Sequence, residues 1–585
     1  MYNHYLKRCR ETKRPNPNSA MSIPMKSSFV PLVSFLFSLL LAWSPAWGQT
    51  DTLVIEGGTL IDGTGRAPIR DAVVVIEGFR IKAVGTKGAV SYPAGARVIR
   101  AEGRTILPGL IDAHVHISAY MHPLFLHYGV TTIVDTANPT DWILAQREAL
   151  QRGRIQGPRL FATGDIIDGP PEDTNQTTLE LREAYRVHTH TVEEARLAAR
   201  RLISKGVDAL KVYEGLSNES LKAVVEEAHQ AGMEVVGHTV DARQATLAGM
   251  KFIEHVAPIV HSTLGDPAKI QALERGRLPN SQAEMDAALF DPLIQLLVRN
   301  GVYFNPTLTR PRPESREWYD VAGKLLQDPA TRFITDARRE HWLAQVRTAE
   351  TPQATESLRK TREFIRRFVQ AGGKVITGPD TGARSSATNL AGLAMHVEME
   401  ALVNAGLTPM QAILASTKWP AEFLRKEKDL GTVEPGKLAD VIVIEGDPLA
   451  DIRNTQHVRT VILDGKVLDT RLDPNFNNPL PRTTYTNTPL EYVGPEVSGI
   501  TPGIARSGDA SVTVQVTGSR FNARSFIRFD TTDVPTTFVS DSLLTARIDG
   551  VLLRSVGTYA VTVVNPGSGG GPSNPAYFIV NFPAE

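Results

Sequence analysis

The chain has 585 residues, enough for several domains, and its 42% hydrophobic and 22% charged content excludes a disordered or fibrous protein. Lysine plus arginine equals aspartate plus glutamate at 63 each, so no basic excess points to nucleic acid or an anionic surface. Cys9 is the one cysteine, which excludes a disulfide framework and leaves histidine, carboxylate or a modified side chain for any metal site.

In chain order, residues 1–28 are basic and polar, and the apolar run FVPLVSFLFSLLLAW follows at 29–43. Lys26 before it and Ala46-Trp47-Gly48 after it form the pattern of a secretory signal, short for a membrane span. Residues 1–48 are therefore expected to be a leader, with Met21 or Met25 as alternative starts and an uncleaved anchor as the other reading. The remainder is expected to be exported, periplasmic or secreted, with no stable membrane span after cleavage.

Residues 51–107 read as short Val- and Ile-rich strands broken by glycine, and the same style returns in GKLADVIVIEGDPLADI and VRTVILDGKVL. Segments 51–107 and 431–470 are expected to build one composite β-sandwich, with another domain inserted between them. The insert, 108–430, alternates apolar runs (TTIVDTA, RLFATGD, DALKVY, MEVVGHTV, KFIEHV, GVYFNPTL, KVITGPD) with helical stretches. Thr191 with Glu194 fits a capping box, and Gly206 and Gly232 stand where helices should stop. With GLIDAHVHI there are eight candidate strands, an α/β pattern that predicts a (β/α)8 barrel. An open doubly wound sheet is the alternative, but no glycine-rich phosphate loop opens a helix. The helical, charged insertion 311–372 is expected to contribute a lid. Residues 471–493, rich in Pro, Asn and Thr, read as a linker, and 494–581 as a separate β-sandwich.

In a parallel barrel, chemistry belongs at the C-terminal strand ends. Those ends carry His114 and His116, Lys211, His238, His255 and Asp380. Each has an ordinary structural reading alone, and their convergence on one rim is the signal. Imidazole and carboxylate suit Zn²⁺ or a similar divalent ion. A buried lysine sheds its charge readily, and the neutral amine can take up CO2 as a carbamate able to bridge two metals. A bridged hydroxide would be the nucleophile, with Asp380 as its proton acceptor and then donor to a leaving amine. Asp112 lies one layer deeper on the same face and reads as a support. Tyr213, Arg310 and Arg384 follow strand ends and are candidate substrate contacts. His188 and His190, just before the Thr191 cap, are expected in a loop, and His122, His127, His229 and His396 in helices as packing or surface residues.

LPGLIDAHVH, ALKVYEG, GHTV, IEHV, TGPDTG, LTPMQAILASTKWPAEFL and GTVEPGKLADVIVIEGDP together resemble the amidohydrolase superfamily, in its imidazolonepropionase-like and prolidase-like branch. The resemblance covers residues 51 to about 470. It implies a TIM barrel with a composite sandwich, one metal on His114, His116 and Asp380, and a second on His238 and His255. Carboxylated Lys211 would lie between them; some relatives hold one metal without it. PEVSGITPG, VTGSRF and VVNPGSGG resemble an IPT/TIG immunoglobulin-like domain, whose expected partner is a protein or carbohydrate. The expected activity is hydrolysis of an amide or related C–N bond in a dipeptide, an N-acyl amino acid or a cyclic amide. Phosphotriester or lactone hydrolysis, and a catalytically dead barrel serving its terminal domain, are the competing readings.

Overall fold

The computed structural model describes residues 52–170, 185–278, 281–309, 352–382, 390–473, 476, 478–480, 495–566 and 571–583. The expected leader, Arg310, Arg384 and most of the 311–372 insertion lie outside the described residues.

The chain begins with β1 (Thr52–Leu60), β2 (Ile69–Glu77) and β3 (Arg80–Thr86), an antiparallel succession, and β4 (Arg97–Arg100) and β5 (Arg104–Pro108) pair with β1 in parallel. β-Branched residues dominate these strands because they pack well on a pleated, half-buried surface. Ile55, Val74, Ile76 and Ile106 share one buried cluster.

A parallel series follows: β6 (Leu110–Val115), β7 (Val130–Asp135), β8 (Arg159–Ala162), β9 (Ile166–Asp168), β10 (Arg186–His188), β11 (Leu210–Val212), β12 (Val235–Gly237), β13 (Phe252–Glu254), β14 (Tyr303–Asn305) and β15 (Lys374–Val375). They pair in the orders β6-β7-β8, β10-β9-β11-β12 and β13-β14-β15, all parallel. Every residue of β6, β7, β11, β12 and β13 is buried, as expected where helices cover a parallel sheet. Backbone bonds join the groups: Asp208 N donates to Ala162 O at 2.8 Å, and Ala113 N donates to Thr377 O at 3.1 Å.

The intervening helices start and stop on local signals. The Thr191 hydroxyl accepts from Glu194 N at the start of helix Val192–Lys205, and Gly206 ends it with φ 85°. Glu194 reaches back to His190 N rather than to the cap residue itself. One face of this helix buries Ala195, Ala198, Ala199 and Leu202, in the same apolar cluster as Leu221, Val224 and Val225 of the next helix, Asn218–Gln230.

Two local expectations change. RVHTHT is not all loop: Arg186–His188 is β10, taken up by the edge of β9. His188 Nδ1 contacts Gly169 O at 2.8 Å, and His190 is exposed. Only the first two residues of KVITGPD form regular strand, β15. Beyond them Ile376 N still donates to Phe304 O, and Thr377 N turns to Ala415 O at the end of helix Pro409–Ala415.

β16 (Val441–Glu445), β17 (Val458–Leu463) and β18 (Lys466–Leu468) return to the first sheet, whose order is β18-β17-β16-β5-β1-β2-β3. β16 lies antiparallel to β5, so Val441, Val443 and Ile462 complete the core begun by β1 and β2.

The next segment docks at first instead of running free. Leu480 is buried and its carbonyl accepts from Trp142 Nε1 at 3.0 Å, while Asn478 bonds Gln146 at 2.9 Å. Residues 496–566 and 571–581 form two sheets around Val514, Val516, Ile527, Phe529, Leu544 and Phe578. They rest on helix Thr140–Gln151 through Glu148, which takes Arg506 Nη2 and Asn581 Nδ2 at 2.7 Å each.

Candidate metal centre

His114 is the penultimate residue of β6, and His116 lies just beyond its end. Lys211 is central in β11, His238 directly follows β12, His255 directly follows β13, and Asp380 lies past β15. These six positions meet at the C-terminal ends of the strands. His255 and Asp380 adopt φ values of 63° and 58°, left-handed conformations that non-glycine residues seldom take. Neighbouring chain holds them there: His255 N donates to Asn305 O at 2.8 Å, and His116 N donates to Thr381 O at 2.7 Å. Gly382 is required beside them, since a Cβ there would meet His116 O at 2.0 Å.

Asp380 Oδ1 is 3.4 Å from His114 Nε2 and 3.3 Å from His116 Nε2. Ligand atoms of these three residues lie within 4.8 Å of one another, and those of His114, Glu254 and His255 make a second such set. His116 Nδ1 faces Ala137 O at 3.3 Å, which assigns the proton to Nδ1 and leaves the Nε2 lone pair toward Asp380. His238 joins through His255, with the two Nε2 atoms 2.9 Å apart. Its ring stacks on Tyr213 with centroids 4.3 Å apart, and the Arg186 guanidinium covers the Tyr213 ring at 4.3 Å. Asp168 fixes that arginine with an ion pair of 2.5 Å.

Burial pushes the His114 and His238 imidazoles well below the ordinary histidine value, so both are neutral at pH 7 and offer a lone pair. Burial also raises the Glu254 carboxyl, with Lys211 opposing it. Lys211 Nζ donates to Glu254 Oε2 at 2.5 Å, both side chains being without exposure. Asp112 accepts from His114 N at 3.1 Å through Oδ1, and burial raises its carboxyl well above the usual carboxylate value.

The donor set can be tested against a divalent ion. His114 Nε2 and Glu254 Oε1 are buried and make no hydrogen bond, although buried polar atoms normally have a partner. Imidazole nitrogens and carboxylate oxygens converging on one buried point suit Zn²⁺ or a similar ion. These residues fit.

Glu254 was not singled out by the sequence pattern. The signal was the strand period: Ile253 packs with Val212 and Phe304, whereas Phe252 joins Val236 and Ile376. Glu254 shares the Phe252 side of β13. Thr307, which meets His255 Nδ1 at 2.6 Å, and the Arg186–Asp168 pair were also missed, because their contacts are long-range. Of the expected substrate contacts, only Tyr213 is described, and it adjoins the site. His122 and His396 are buried packing residues, bonded to Gln146 at 3.0 Å and to Thr455 at 2.9 Å. His127 and His229 are half-buried and outside the constellation.

The amidohydrolase family model matches residues 105–468. The imidazolonepropionase of Geobacillus kaustophilus is 24% identical over 422 residues, covering 68% of this chain and 90% of that protein. A 5-methylthioadenosine/S-adenosylhomocysteine deaminase of Symbiobacterium thermophilum is 42% identical over a stretch covering 23% of this chain and 38% of that protein. Among solved structures, an Xaa-Pro dipeptidase with bound methionine is 25% identical with a TM-score of 0.53, covering 72% of this chain and all of the other. Molinate hydrolase, at 23% identity and TM-score 0.55, shares the fold over 75% of this chain and 99% of its own. The family match spans more than half of the chain and takes in the constellation at the strand ends, so this chain belongs to the amidohydrolase family and is a hydrolase acting on C–N bonds.

Proposed function

We propose an exported, metal-dependent amidohydrolase that cleaves the amide bond of a small molecule: a dipeptide, an N-acyl amino acid or a cyclic amide. In this reading the parallel strands close as a (β/α)8 barrel over about residues 108–430. The flanks 51–107 and 431–470 form its composite sandwich, and residues 494–581 an immunoglobulin-like module of the IPT/TIG kind. The observation that carries the functional reading is the buried meeting of His114, His116 and Asp380, whose ligand atoms lie within 4.8 Å of one another.

His114, His116 and Asp380 would hold one divalent ion, and His238 and His255 a second, with Lys211 as the carbamate between them. Such an ion supplies a Lewis acid for the scissile carbonyl and makes water a stronger acid at neutral pH. The Asp380 carboxylate takes the proton of the attacking water and returns it to the leaving nitrogen. Burial makes His114 and His238 weak bases that do not take up a second proton, which keeps that carboxylate as the acceptor. Tyr213, stacked on His238, lines the approach of the substrate. Amide cleavage is favoured because the imidazolonepropionase and the Xaa-Pro dipeptidase similar to this chain bear names of C–N hydrolases.

The test is turnover of a panel of Xaa-Pro dipeptides, N-acetyl amino acids and cyclic amides, each with and without added Zn²⁺, beside a lactone and a phosphotriester. Metal-dependent cleavage of at least one amide class is expected. Cleavage confined to the lactone or phosphotriester, or no turnover of any member, contradicts the proposal.

A further inference from the structure

The turn after β14 presents Thr307 to His255, and its hydrogen atoms can be assigned one by one. Thr307 is buried and has φ 47°, an uncommon conformation for a β-branched residue. Its hydroxyl donates to Pro306 O at 2.8 Å. A threonine hydroxyl has one hydrogen, so toward His255, 2.6 Å away, Oγ1 can only accept. The His255 proton therefore sits on Nδ1, and its lone pair on Nε2 faces His238 Nε2 at 2.9 Å.

The turn is held from behind. Glu398, fully buried on helix Leu393–Asn404, accepts Leu308 N with one carboxylate oxygen and Thr309 N with the other, at 2.8 Å each. Those are the two residues directly after Thr307, so the bidentate carboxylate fixes the strained turn. On the other side Asn305 O takes His255 N at 2.8 Å. One short segment thus holds both the backbone and the ring of His255.

We infer that Thr307, locked by Glu398, is a positioning residue that sets the tautomer and ring orientation of His255 so that its Nε2 is presented to a divalent ion. This rests on the metal-site reading proposed above. Partners of this kind, bonded to the far nitrogen of a ligating histidine, tune metal affinity by about 10- to 100-fold.

The experiment is Zn²⁺ titration of chelator-stripped full-length protein against a chromophoric competitor, for the wild type, Thr307→Val, Thr307→Ser and Glu398→Gln. Thermal unfolding of each metal-free variant checks the fold. Thr307→Val should weaken one Zn²⁺-binding step by about 10- to 100-fold, and Thr307→Ser, which keeps the oxygen, should restore it. Glu398→Gln cannot accept both amides and should weaken the same step, and it carries the expectation alone if Thr307→Val fails to fold. A Thr307→Val protein that binds Zn²⁺ as the wild type does overturns the inference and leaves the proposed function standing. So does a Thr307→Ser protein as weak as the valine variant, since packing rather than the oxygen would then matter. A wild-type chain that binds no Zn²⁺ overturns both.

Discussion

His122 shows how strongly single buried groups set the pH behaviour of this chain. Its ring is fully buried with Gln146 as partner, and burial lowers its pKa to about 4. In the unfolded chain the same group titrates near pH 6.5, so between those values the unfolded chain takes up a proton that the folded chain refuses. Stability is full above about pH 6.5 and falls as the pH drops toward 4, by about 3 kcal/mol for this residue. His114 and His238 shift in the same direction, also through burial. Urea unfolding of the metal-free protein should show a midpoint that falls steeply from pH 7 to pH 4.5. The His122→Asn variant, which has no proton to take up there, should show a shallower fall. An equal fall in both would contradict the assignment.

The strand ends were legible in the sequence and the contacts between them less so. The position of His238 follows from a local rule, an apolar run that ends in a polar residue. Thr191 and Gly206 bound their helix by equally local chemistry, a side-chain cap and a left-handed residue. β9 and β10 were not legible as a pair, because three-residue strands have too few residues to show a period. Glu254 was overlooked because its meaning depends on Lys211, 43 positions earlier in the chain. His255 and Asp380 leave the strand pattern altogether through positive φ, a tertiary effect that sequence period does not record. Gly382 belongs to this scale, since it lets the segment after β15 close against His116 O. Gly382→Ala would place a Cβ within 2.0 Å of that oxygen at a φ of 90°. It should cost more than about 2 kcal/mol in chemical denaturation and lower metal retention. A variant with wild-type stability and metal content would contradict the account of this turn.

At the scale of the molecule, one sheet is assembled from both flanks of the parallel unit, through the antiparallel pairing of β16 with β5. Composition announced this, because both flanks share the same Val- and Ile-rich style. The docking of residues 478–480 and of the terminal two-sheet unit was not announced, since Asn478, Leu480 and Arg506 read as linker and surface residues until helix Thr140–Gln151 is in place. No helix among the described residues is long and apolar enough to cross a membrane. Glu148 ties the terminal unit to helix Thr140–Gln151, taking both Arg506 and Asn581. The pair is partly exposed, so Glu148→Ala should cost about 1 kcal/mol, read as a lower unfolding midpoint, and leave kcat unchanged. A loss of kcat with no change in stability would contradict a purely structural role for that contact.

Asp380, with His114 and His116, is the proposed metal-dependent hydrolytic centre. Its most direct test is the hydrolysis rate of the chelator-stripped chain on the best amide of the panel, before and after Zn²⁺, for the wild type and Asp380→Asn. The stripped wild type should show no turnover and should recover it with Zn²⁺. The Asp380→Asn variant should be slower by about 10²- to 10⁴-fold in kcat under the same conditions. Turnover that survives stripping, or an Asp380→Asn variant as fast as the wild type, would contradict it.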